Sequence, residues 1–335
     1  MTPAPILVLI VNYRTAALTV QAVEAILPEL RDRGDASIVI VDNGSNDGSA
    51  EAIATAIEDL DAQHICFLLA LDANLGFAGG NNAGLGHYRR IVHAAGRQAW
   101  PIYVWLLNPD TIAEYGALGA LTEFLEGKPE AGLAGGRCRR QDGSIRHSAF
   151  RFHTPIGEFL TALDVGLLRR LLARHHILLS IGDEPLRAEW LSGSHLLIRG
   201  SVIERIGLLD PRYFLYFEET DYCARATEAG FEAWHVPASQ IVHLGGRSTG
   251  LTEFDPALRQ PHYWFESRAR FFLRRHGVAA THLANLLWLL GTPVGASWAL
   301  LRGRPRRDPA RLWWDFLVSN YGRNGLMYRT AGIAA

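Results

Sequence analysis

Short apolar runs alternate with helix-like patterns through the first third of the chain. The apolar runs predict four strands, over residues 6–11, 37–41, 65–71 and 103–107. Apolar residues at helical spacing predict helices between them, over residues 15–30, 49–60 and 82–95. Strands that are apolar throughout and joined by helices are typical of a parallel sheet covered on both faces. The pattern therefore predicts an α/β fold.

The loops that follow these four strands are polar and rich in turn residues. Ligands of open α/β sheets lie at the carboxyl ends of the strands, so these loops are the first place to look for a site. Turn chemistry alone explains any one loop. It explains four in succession less well, because Asp42 and Asp110 place a carboxylate just after two of the strands.

The middle of the chain carries a second group of polar candidates. Residues 150–187 show no clear period and are interpreted as a variable region over the site, and residues 189–199 are predicted to form a strand that returns to the core. Glu218, Glu219 and Asp221 open a helix that continues to about residue 229. Short strands are predicted over 233–236 and 241–244, and the second one contains His243.

Residues 283–301 contain no charged side chain and are followed by an arginine-rich segment up to residue 311. An apolar segment flanked by arginines fits a helix or helical hairpin at a membrane surface. A helical pair packed on the core fits the same hydropathy, and both interpretations stay open. A complete span is the least favoured, because Gly291, Pro293 and Gly295 interrupt a stretch that is already short.

Composition narrows the class of protein. The chain has 335 residues, of which 33 are basic and 34 acidic, and 48% are hydrophobic. A nearly neutral chain lacks the basic footprint of general nucleic-acid binding, and this hydrophobic content excludes a disordered chain. Three cysteines far apart predict neither a disulfide framework nor a zinc site, which indicates a reducing, cytoplasmic compartment.

Candidate chemistry follows from the residue types. A carboxylate such as Asp110 at a strand end can hold a divalent cation against a diphosphate, and Asp42 can accept hydrogen bonds from a ribose or pyrimidine. Gly76, Gly79 and Gly80 allow backbone to approach a ligand, although they match neither a P-loop nor a dinucleotide fingerprint. The acidic cluster at 218–221 follows aromatic residues, and an apolar wall raises the pKa of a carboxyl towards that of a general base.

Together these motifs resemble the inverting family 2 glycosyltransferases of GT-A fold, over residues 6–277. The motifs are VLIVNY at 8–13, VDNGS-x-DGS at 41–49, N-x-GFAGGNN-x-G at 74–84, LNPD at 107–110 and F-x-YFEE-x-D at 214–221. GFAGGNN and NPD resemble the bacterial rhamnosyltransferase branch.

The resemblance implies a Rossmann-like, mostly parallel central sheet with flanking helices, to which the chain adds a C-terminal helical extension. It implies a GT-A domain over 1–277, with a nucleotide-binding half at about 1–112 and an acceptor-binding half at about 113–277, and a helical region over 278–335.

The resemblance also implies a role for individual residues. The residues expected to bind the nucleotide sugar are Asn12, Tyr13, Asp42, Asn74, Gly80, Asn82, Asn108 and Asp110. Asp110 and His243 would ligate Mg²⁺ or Mn²⁺, and Glu219 would be the general base, with Asp221 beside it as a second catalytic acid. Trp190 and Glu218 would contact the acceptor. Two departures from the family pattern are Asn108, which replaces the first carboxylate of Asp-x-Asp, and Glu219, which replaces the commoner Asp.

The implied reaction is a single displacement with inversion at the anomeric carbon. The expected donor is dTDP-rhamnose, with UDP-sugars second, and the acceptor is a saccharide or polyprenyl-linked saccharide of cell-surface polysaccharide synthesis. The expected location is the cytoplasm, with contact to the inner face of the cell membrane through residues 283–311. The alternative expectation is that the C-terminal region forms a homodimer contact. No nucleic acid is expected as a partner.

Two other functions fit part of the pattern. A nucleotidyltransferase shares a similar sheet, but it would carry a glycine-rich, lysine-containing loop where Asn12-Tyr13-Arg14 stands. A non-catalytic nucleotide-sugar-binding or scaffold protein of the same descent would not need Glu219. Turnover of a Glu219→Gln variant separates that protein from the enzyme.

Overall fold

The computed structural model describes residues 6–94, 101–244, 258–304, 306 and 308–322. The chain divides into two compact units. The first contains Met1–Phe150, Ser180–Phe214 and Glu218–Thr252, and the second contains Arg151–Leu179, Leu215–Phe217 and Glu253–Ala335. Ala95 at the end of the predicted helix over 82–95, Arg307 of the arginine-rich segment, and residues 323–335 of the predicted helical region lie outside the described residues.

The described secondary structure is numbered here in chain order. The strands are β1 Ile6–Asn12, β2 Ala36–Asp42, β3 Cys66–Ala70, β4 Tyr103–Leu107, β5 Thr111–Ala113, β6 Ala131–Arg139, β7 Ile145–Arg146, β8 Ala149–Phe150, β9 Leu186–Ala188, β10 Trp190–Leu191, β11 His195–Arg199 and β12 Glu232–His243. The helices are α1 Ala16–Arg33, α2 Ser49–Asp59, α3 Gly76–Ala94, α4 Ala117–Glu126, α5 Pro155–Leu163, α6 Gly166–Leu171, α7 Gly200–Ile206, α8 Glu218–Glu228, α9 His262–Leu301 and α10 Leu312–Tyr321.

A mixed sheet forms the centre of the first unit. Within the described residues it has ten strands, with the order β3-β2-β1-β4-β11-β6-β12-β5, while β7 pairs with β6 and β9 with β12. The first four strands in this order are parallel, and β11 is antiparallel to both of its neighbours. Strands β1, β2 and β4 are buried almost throughout because helices cover the sheet, which explains their continuous apolar sequence. The predicted α/β class is confirmed.

Three elements differ from the prediction for local physical reasons. Helix α3 begins at Gly76, six residues earlier than predicted, because the glycines at its start pack closely against neighbouring strands. The predicted strand over 189–199 is two strands, since a turn at 192–194 separates β10 from β11 and they belong to different sheets. The two predicted short strands are one strand, β12, with an irregularity between Val236 and Gln240.

The second unit is helical. The region 150–187, in which the sequence shows no clear period, contributes α5 and α6 to it. Phe159 and Ala162 of α5 pack against Gly291 of α9. Helix α9 begins well before the predicted boundary at 277/278 and contains a non-helical residue, Gly277, at φ 76°. The parts of α9 on both sides of Gly277 belong to the second unit. The predicted domain boundary coincides with the kink at Gly277.

A buried ion pair joins α5 to α9 inside the second unit. Arg268 is 1% exposed, donates to Glu158 at 2.9 Å and to Asn285 at 2.7 Å, and stacks against Phe272 and Phe316. Burial alone would raise the pKa of Glu158, but the Arg268 charge and the His153 hydrogen bond lower it to about 2. The pair is ionised at neutral pH, and each partner compensates the buried charge of the other.

Candidate functional site

The first two loops at the carboxyl edge of the sheet are tied together by side chains. Asn12 and Asp42 are register partners on β1 and β2, and Asn12 Nδ2 donates to Asp42 Oδ1 at 2.6 Å. The Ser45 hydroxyl donates to the same oxygen at 2.5 Å and accepts from the Arg14 backbone N–H at 2.9 Å. These bonds position both loops, and both side chains are buried. The donor contacts predicted for these two residues stay predictions.

Tyr13 lies at the exposed side of this pair of loops. Its ring is half-buried, and the guanidinium of Arg14 lies 5.1 Å from the ring centroid. Arg14 adopts a left-handed φ of 57°, and its Nε donates to the Ser45 carbonyl at 3.2 Å. An aromatic ring and a cation at the edge of the sheet are suitable for a nucleotide, and Arg14 is an addition to the residues that the motifs predicted.

Asparagine side chains shape the third loop. Asn43 Nδ2 donates to Asn74 Oδ1 at 2.9 Å and to the Gly76 carbonyl at 3.0 Å, and Asn74 Oδ1 also accepts from the Gly76 N–H at 2.8 Å. Gly76 has a φ of 72°, and a Cβ there would lie 2.0 Å from the Phe214 carbonyl oxygen. Phe77 N–H donates to that same carbonyl at 2.8 Å. The third loop is thereby attached to the segment just before the acidic cluster.

The glycines of α3 serve packing in this structure. A Cβ on Gly80 would lie 2.8 Å from Val11 Cγ1, and one on Gly84 would lie 2.9 Å from Val41 Cγ2. The space that these glycines leave is filled by the sheet, which accounts for both without a ligand. Asn82 donates to the Leu209 carbonyl at 2.7 Å. The predicted donor contacts of Gly80 and Asn82 stay predictions.

Asp110 and His243 meet after β4, as the sequence suggested but could not show. Thr111 and His243 are register partners on β5 and β12, and this pairing places His243 Nε2 3.7 Å from Asp110 Oδ1. Asp110 is fully buried, and neither of its carboxylate oxygens accepts a hydrogen bond. On the other side of the imidazole, Arg146 Nη1 lies 3.5 Å from His243 Nδ1.

This donor set fits a divalent cation. A buried carboxylate whose oxygens lack hydrogen bonds is costly unless a ligand satisfies it, and carboxylate oxygen with imidazole nitrogen suits Mn²⁺ or Mg²⁺. Among the described residues, no group of three or more His, Cys, Asp or Glu side chains could hold a metal ion. A cation here would therefore take further ligands from solvent or from a bound diphosphate, which is typical of sites where metal and nucleotide bind together.

The three acids at the start of α8 have different environments. Glu218 is 4% exposed, and burial together with the neighbouring Glu219 carboxylate raises its pKa well above the usual range. The acceptor contact predicted for Glu218 stays a prediction. Glu219 is half-buried, so it is the acid of this cluster that combines solvent contact with a partly apolar setting. That environment is suitable for a general base.

Asp221 has a supporting position. It is fully buried, accepts from the Tyr213 hydroxyl at 3.3 Å and pairs with Arg225 Nε at 2.8 Å. Arg225 also donates to the carbonyls of Ile206 and Leu208, at 3.0 and 2.8 Å. These bonds hold the start of α8 in place, and the catalytic role predicted for Asp221 stays a prediction.

Backbone strain precedes the acidic cluster directly. Tyr216 and Phe217 have left-handed φ values of 69° and 66°, a conformation that bulky side chains rarely adopt. Residues held in such regions cost about 1–3 kcal/mol each and are concentrated at functional sites. The strain therefore supports the assignment of a functional role to the residues that follow.

A turn links the Asp110 loop to Glu219. The Ser194 carbonyl accepts from the Asn108 N–H at 3.1 Å, and a Cβ on the adjacent Gly193 would lie 3.4 Å from Glu219 Cβ. The motifs that carry the two carboxylates are thus in contact with the same short turn, although the chain separates them by about a hundred residues. Trp190, just before the turn, stacks on Phe150 with centroids 4.0 Å apart. Its predicted acceptor contact stays a prediction.

Sequence reasoning missed Arg146 and Ser45. Arg146 lies in an unpatterned stretch, and only the pairing of β7 with β6 brings it beside His243. Ser45 was visible in the loop after β2, but its hydrogen bonds to Asp42 and Arg14 depend on how the two loops meet. Arg146 has no local sequence signal, whereas Ser45 belongs to the VDNGS motif but was not singled out within it.

The mixed α/β sheet, with polar loops at the carboxyl edge of its parallel strands, is the architecture of a GT-A glycosyltransferase. Residues 3–266 match the family described as "Glycosyltransferase like family 2", and the chain belongs to this family. It is a family 2 glycosyltransferase with the GT-A fold, as its motifs predicted.

Named relatives agree with the family, and a solved structure agrees with the fold. The chain is 30% identical over 279 residues to an N-acetylglucosaminyl-diphospho-decaprenol L-rhamnosyltransferase of Mycobacterium tuberculosis, which covers 82% of this chain and 86% of that protein. It is 27% identical over 175 residues to rhamnosyltransferase WbbL of Escherichia coli, covering 51% and 64% of the two chains. A Pyrobaculum calidifontis mannosyltransferase, solved with GDP-Man and Mn²⁺, has a TM-score of 0.52 at 16% identity and covers 90% of this chain and 77% of its own.

Proposed function

We propose that this protein is an inverting rhamnosyltransferase that uses dTDP-rhamnose and a divalent cation and acts on a lipid-linked saccharide in cell-surface polysaccharide synthesis. The names of the two relatives at 27–30% identity support rhamnose and, for one of them, a lipid-linked acceptor. Mn²⁺ and a nucleotide sugar in the Pyrobaculum neighbour support the cofactor. The observation that carries the proposal is the buried Asp110 carboxylate without hydrogen bonds beside His243.

The chain's own residues have distinct tasks in this reaction. Asp110 and His243 would hold the cation, which when bound neutralises the charge of the departing diphosphate. Glu219 Oε accepts the proton of the acceptor hydroxyl as the hydroxyl oxygen attacks the anomeric carbon. The new bond joins that oxygen to the anomeric carbon, the bond from that carbon to the diphosphate oxygen breaks, and its electron pair leaves with dTDP. Attack from the side opposite the leaving group inverts the anomeric configuration.

Arg146 and Arg14 would complete the donor site. Arg146 lies beside His243, so its positive charge favours a diphosphate at the Asp110 loop. Arg14 and Tyr13 lie together at the edge of β1, where a cation and a ring suit the nucleotide. Both contributions are electrostatic and are strongest where the loops exclude water.

The test is thermal unfolding against a panel of nucleoside diphosphates, with and without Mn²⁺, followed by product analysis. A ligand at about 100 times its dissociation constant stabilises the fold by roughly 2.7 kcal/mol. We expect metal-dependent stabilisation by dTDP that exceeds that by UDP. Transfer from dTDP-rhamnose to a polyprenyl-diphosphate-linked N-acetylglucosamine should give a product whose anomeric proton shows the configuration opposite to that of the donor.

Other results of these measurements would change the proposed donor, the mechanism or the function. Stabilisation by UDP without dTDP would move the donor to a UDP-sugar. Retention of configuration in the product would contradict the single displacement. Binding of dTDP without hydrolysis or transfer would favour the non-catalytic binding protein.

A further inference from the structure

The C-terminal part of α9 exposes an apolar face. Six residues share it, and they are called here the apolar stripe: Leu283, Leu286, Leu290, Val294, Trp298 and Leu301. Each is between 40% and 82% exposed. At 3.6 residues per turn the six fall on one side of the helix, within a sector of about 120° and over a length of about 27 Å. An exposed apolar face of this extent is typical of an interaction surface.

The opposite face of the same helix is packed inside the second unit. A Cβ on Gly295 would lie 2.5 Å from the Ala162 and Leu163 carbonyl oxygens, so α5 is in close contact there. Trp288 stacks on Phe316 of α10 with centroids 4.1 Å apart. By length and composition α9 could cross a membrane, and 33% of its most apolar window is buried. Because α5 and α10 cover one face, lipid would contact only the stripe, which favours a helix that lies in the plane of the membrane surface.

Positive charge and tryptophan flank the stripe. Arg302 and Arg304 follow it directly and are exposed, and the Arg302 guanidinium lies 5.0 Å from the Trp298 ring centroid. Trp313 and Trp314 of α10, in the same unit, are also exposed. Tryptophan rings favour the boundary between lipid headgroups and acyl chains, and arginines favour anionic headgroups.

The sequence around the stripe distinguishes a membrane from a second copy of the chain. Residues 278–304 contain no aspartate or glutamate. In a symmetric contact between two copies, the same segment of the second copy would face Arg302 and Arg304 and would supply no acidic partner. An anionic lipid surface supplies both the apolar phase and the negative charge that this face matches.

We propose that the apolar stripe, with Arg302 and Arg304, is a docking surface for an anionic lipid bilayer. The helix lies at the level of the headgroups with the stripe directed into the acyl chains. This inference is independent of the donor and of the reaction, because it rests only on residues of the second unit.

The test is flotation of the 335-residue chain with vesicles, without nucleotide or metal. Vesicles of equal parts phosphatidylcholine and phosphatidylglycerol are compared with vesicles of phosphatidylcholine alone. Leu290→Glu is the disrupting variant, and Ile102→Glu is its matched control, since both residues are 56% exposed. We expect Leu290→Glu to lower vesicle binding roughly tenfold or more. Replacement of Arg302 and Arg304 by glutamine should lower binding to the anionic vesicles by roughly fivefold for each arginine.

Three results would overturn the proposal. The first is a wild-type protein that floats with neither type of vesicle, and the second is equal vesicle binding by Leu290→Glu and Ile102→Glu. The third is a wild-type dimer, seen by light scattering without lipid, that becomes a monomer in Leu290→Glu and never binds vesicles. Circular dichroism checks the fold of each variant, and Leu286→Gln with Val294→Gln replaces Leu290→Glu if that variant unfolds. If the wild-type protein binds vesicles but transfers no rhamnose, the proposed function is contradicted and the docking surface is not.

Discussion

Replacement of Asp110 by asparagine should separate metal binding from fold stability. The Asp110 carboxylate is fully buried, and neither oxygen accepts a hydrogen bond. A buried polar group without a partner costs about 1–3 kcal/mol, and a charged one costs more. Asparagine has almost the same shape and no charge, so it keeps the packing and removes the charge that burial destabilises. We therefore expect the metal-free Asp110→Asn protein to be more stable than the metal-free wild type.

The expected gain in the free energy of unfolding follows from the same comparison of a charged and a neutral side chain. The amide still lacks partners, so only the charged part of the cost is recovered, about 1–2 kcal/mol. In a chain of this size each kcal/mol shifts the melting temperature by roughly 2–4 °C. Mn²⁺ with dTDP should stabilise the wild type by roughly 2.7 kcal/mol at 100 times the dissociation constant, and it should stabilise the variant far less.

The assay is thermal unfolding at pH 8, above the ordinary titration range of histidine, first with a chelator and then with Mn²⁺ and dTDP. Asp72→Asn is the control, because Asp72 is an exposed carboxylate after β3. The reasoning is refuted if metal-free Asp110→Asn is less stable than the wild type and still gains the full stabilisation from Mn²⁺ and dTDP. Asp110 would then be a structural carboxylate rather than a metal ligand.

Three further predictions address the base, the helical unit and the sheet. Glu219→Gln should lower kcat by roughly 10²–10⁴-fold with unchanged dTDP binding, as measured by transfer kinetics and calorimetry, and unchanged turnover would exclude Glu219 as the base. Glu158→Gln should lower the free energy of unfolding by roughly 3–5 kcal/mol, since it leaves the Arg268 charge buried alone. Because the pKa of Glu158 is lowered to about 2, wild-type stability should be complete above about pH 4.5 and fall towards pH 2, and the variant should lack this dependence in denaturant titrations. Gly80→Ala should destabilise by roughly 1–3 kcal/mol, because its Cβ would lie 2.8 Å from Val11, and a melting temperature equal to that of Gly86→Ala, where the nearest atom is 3.9 Å away, would contradict this packing role.

The candidate site illustrates how one acidic cluster divides its roles. Glu218, Glu219 and Asp221 are within four positions of the chain, yet only Glu219 is half-exposed. Asp221 is engaged by Arg225, and Glu218 is buried with a raised pKa. The sequence predicts that the cluster is functional, and the tertiary structure gives each of its carboxylates a different environment.

The same distinction applies to the glycine-rich segment. The motif predicts backbone approach to a ligand at Gly80, whereas the structure places the side chain of Val11 in that space. A glycine in the sequence indicates only that no Cβ fits at that position. The neighbour that excludes the Cβ, whether strand or ligand, is a tertiary contact that the local sequence does not contain.

The sequence alone determined the α/β class, the first four strands, the family and the positions of its motifs. It could do so because apolar periodicity and strand-end residues are local and follow the chain. Only the tertiary structure decided that His243 meets Asp110, that Arg146 lies beside them and that the turn at Gly193 contacts Glu219. These partners are separated by tens to more than a hundred residues, and strand pairing, a long-range property, brings His243 beside Asp110 and Arg146. The exposed face of α9 is likewise invisible to hydropathy, because Leu290 and Trp288 are both apolar and only packing against α10 distinguishes the buried one from the exposed one.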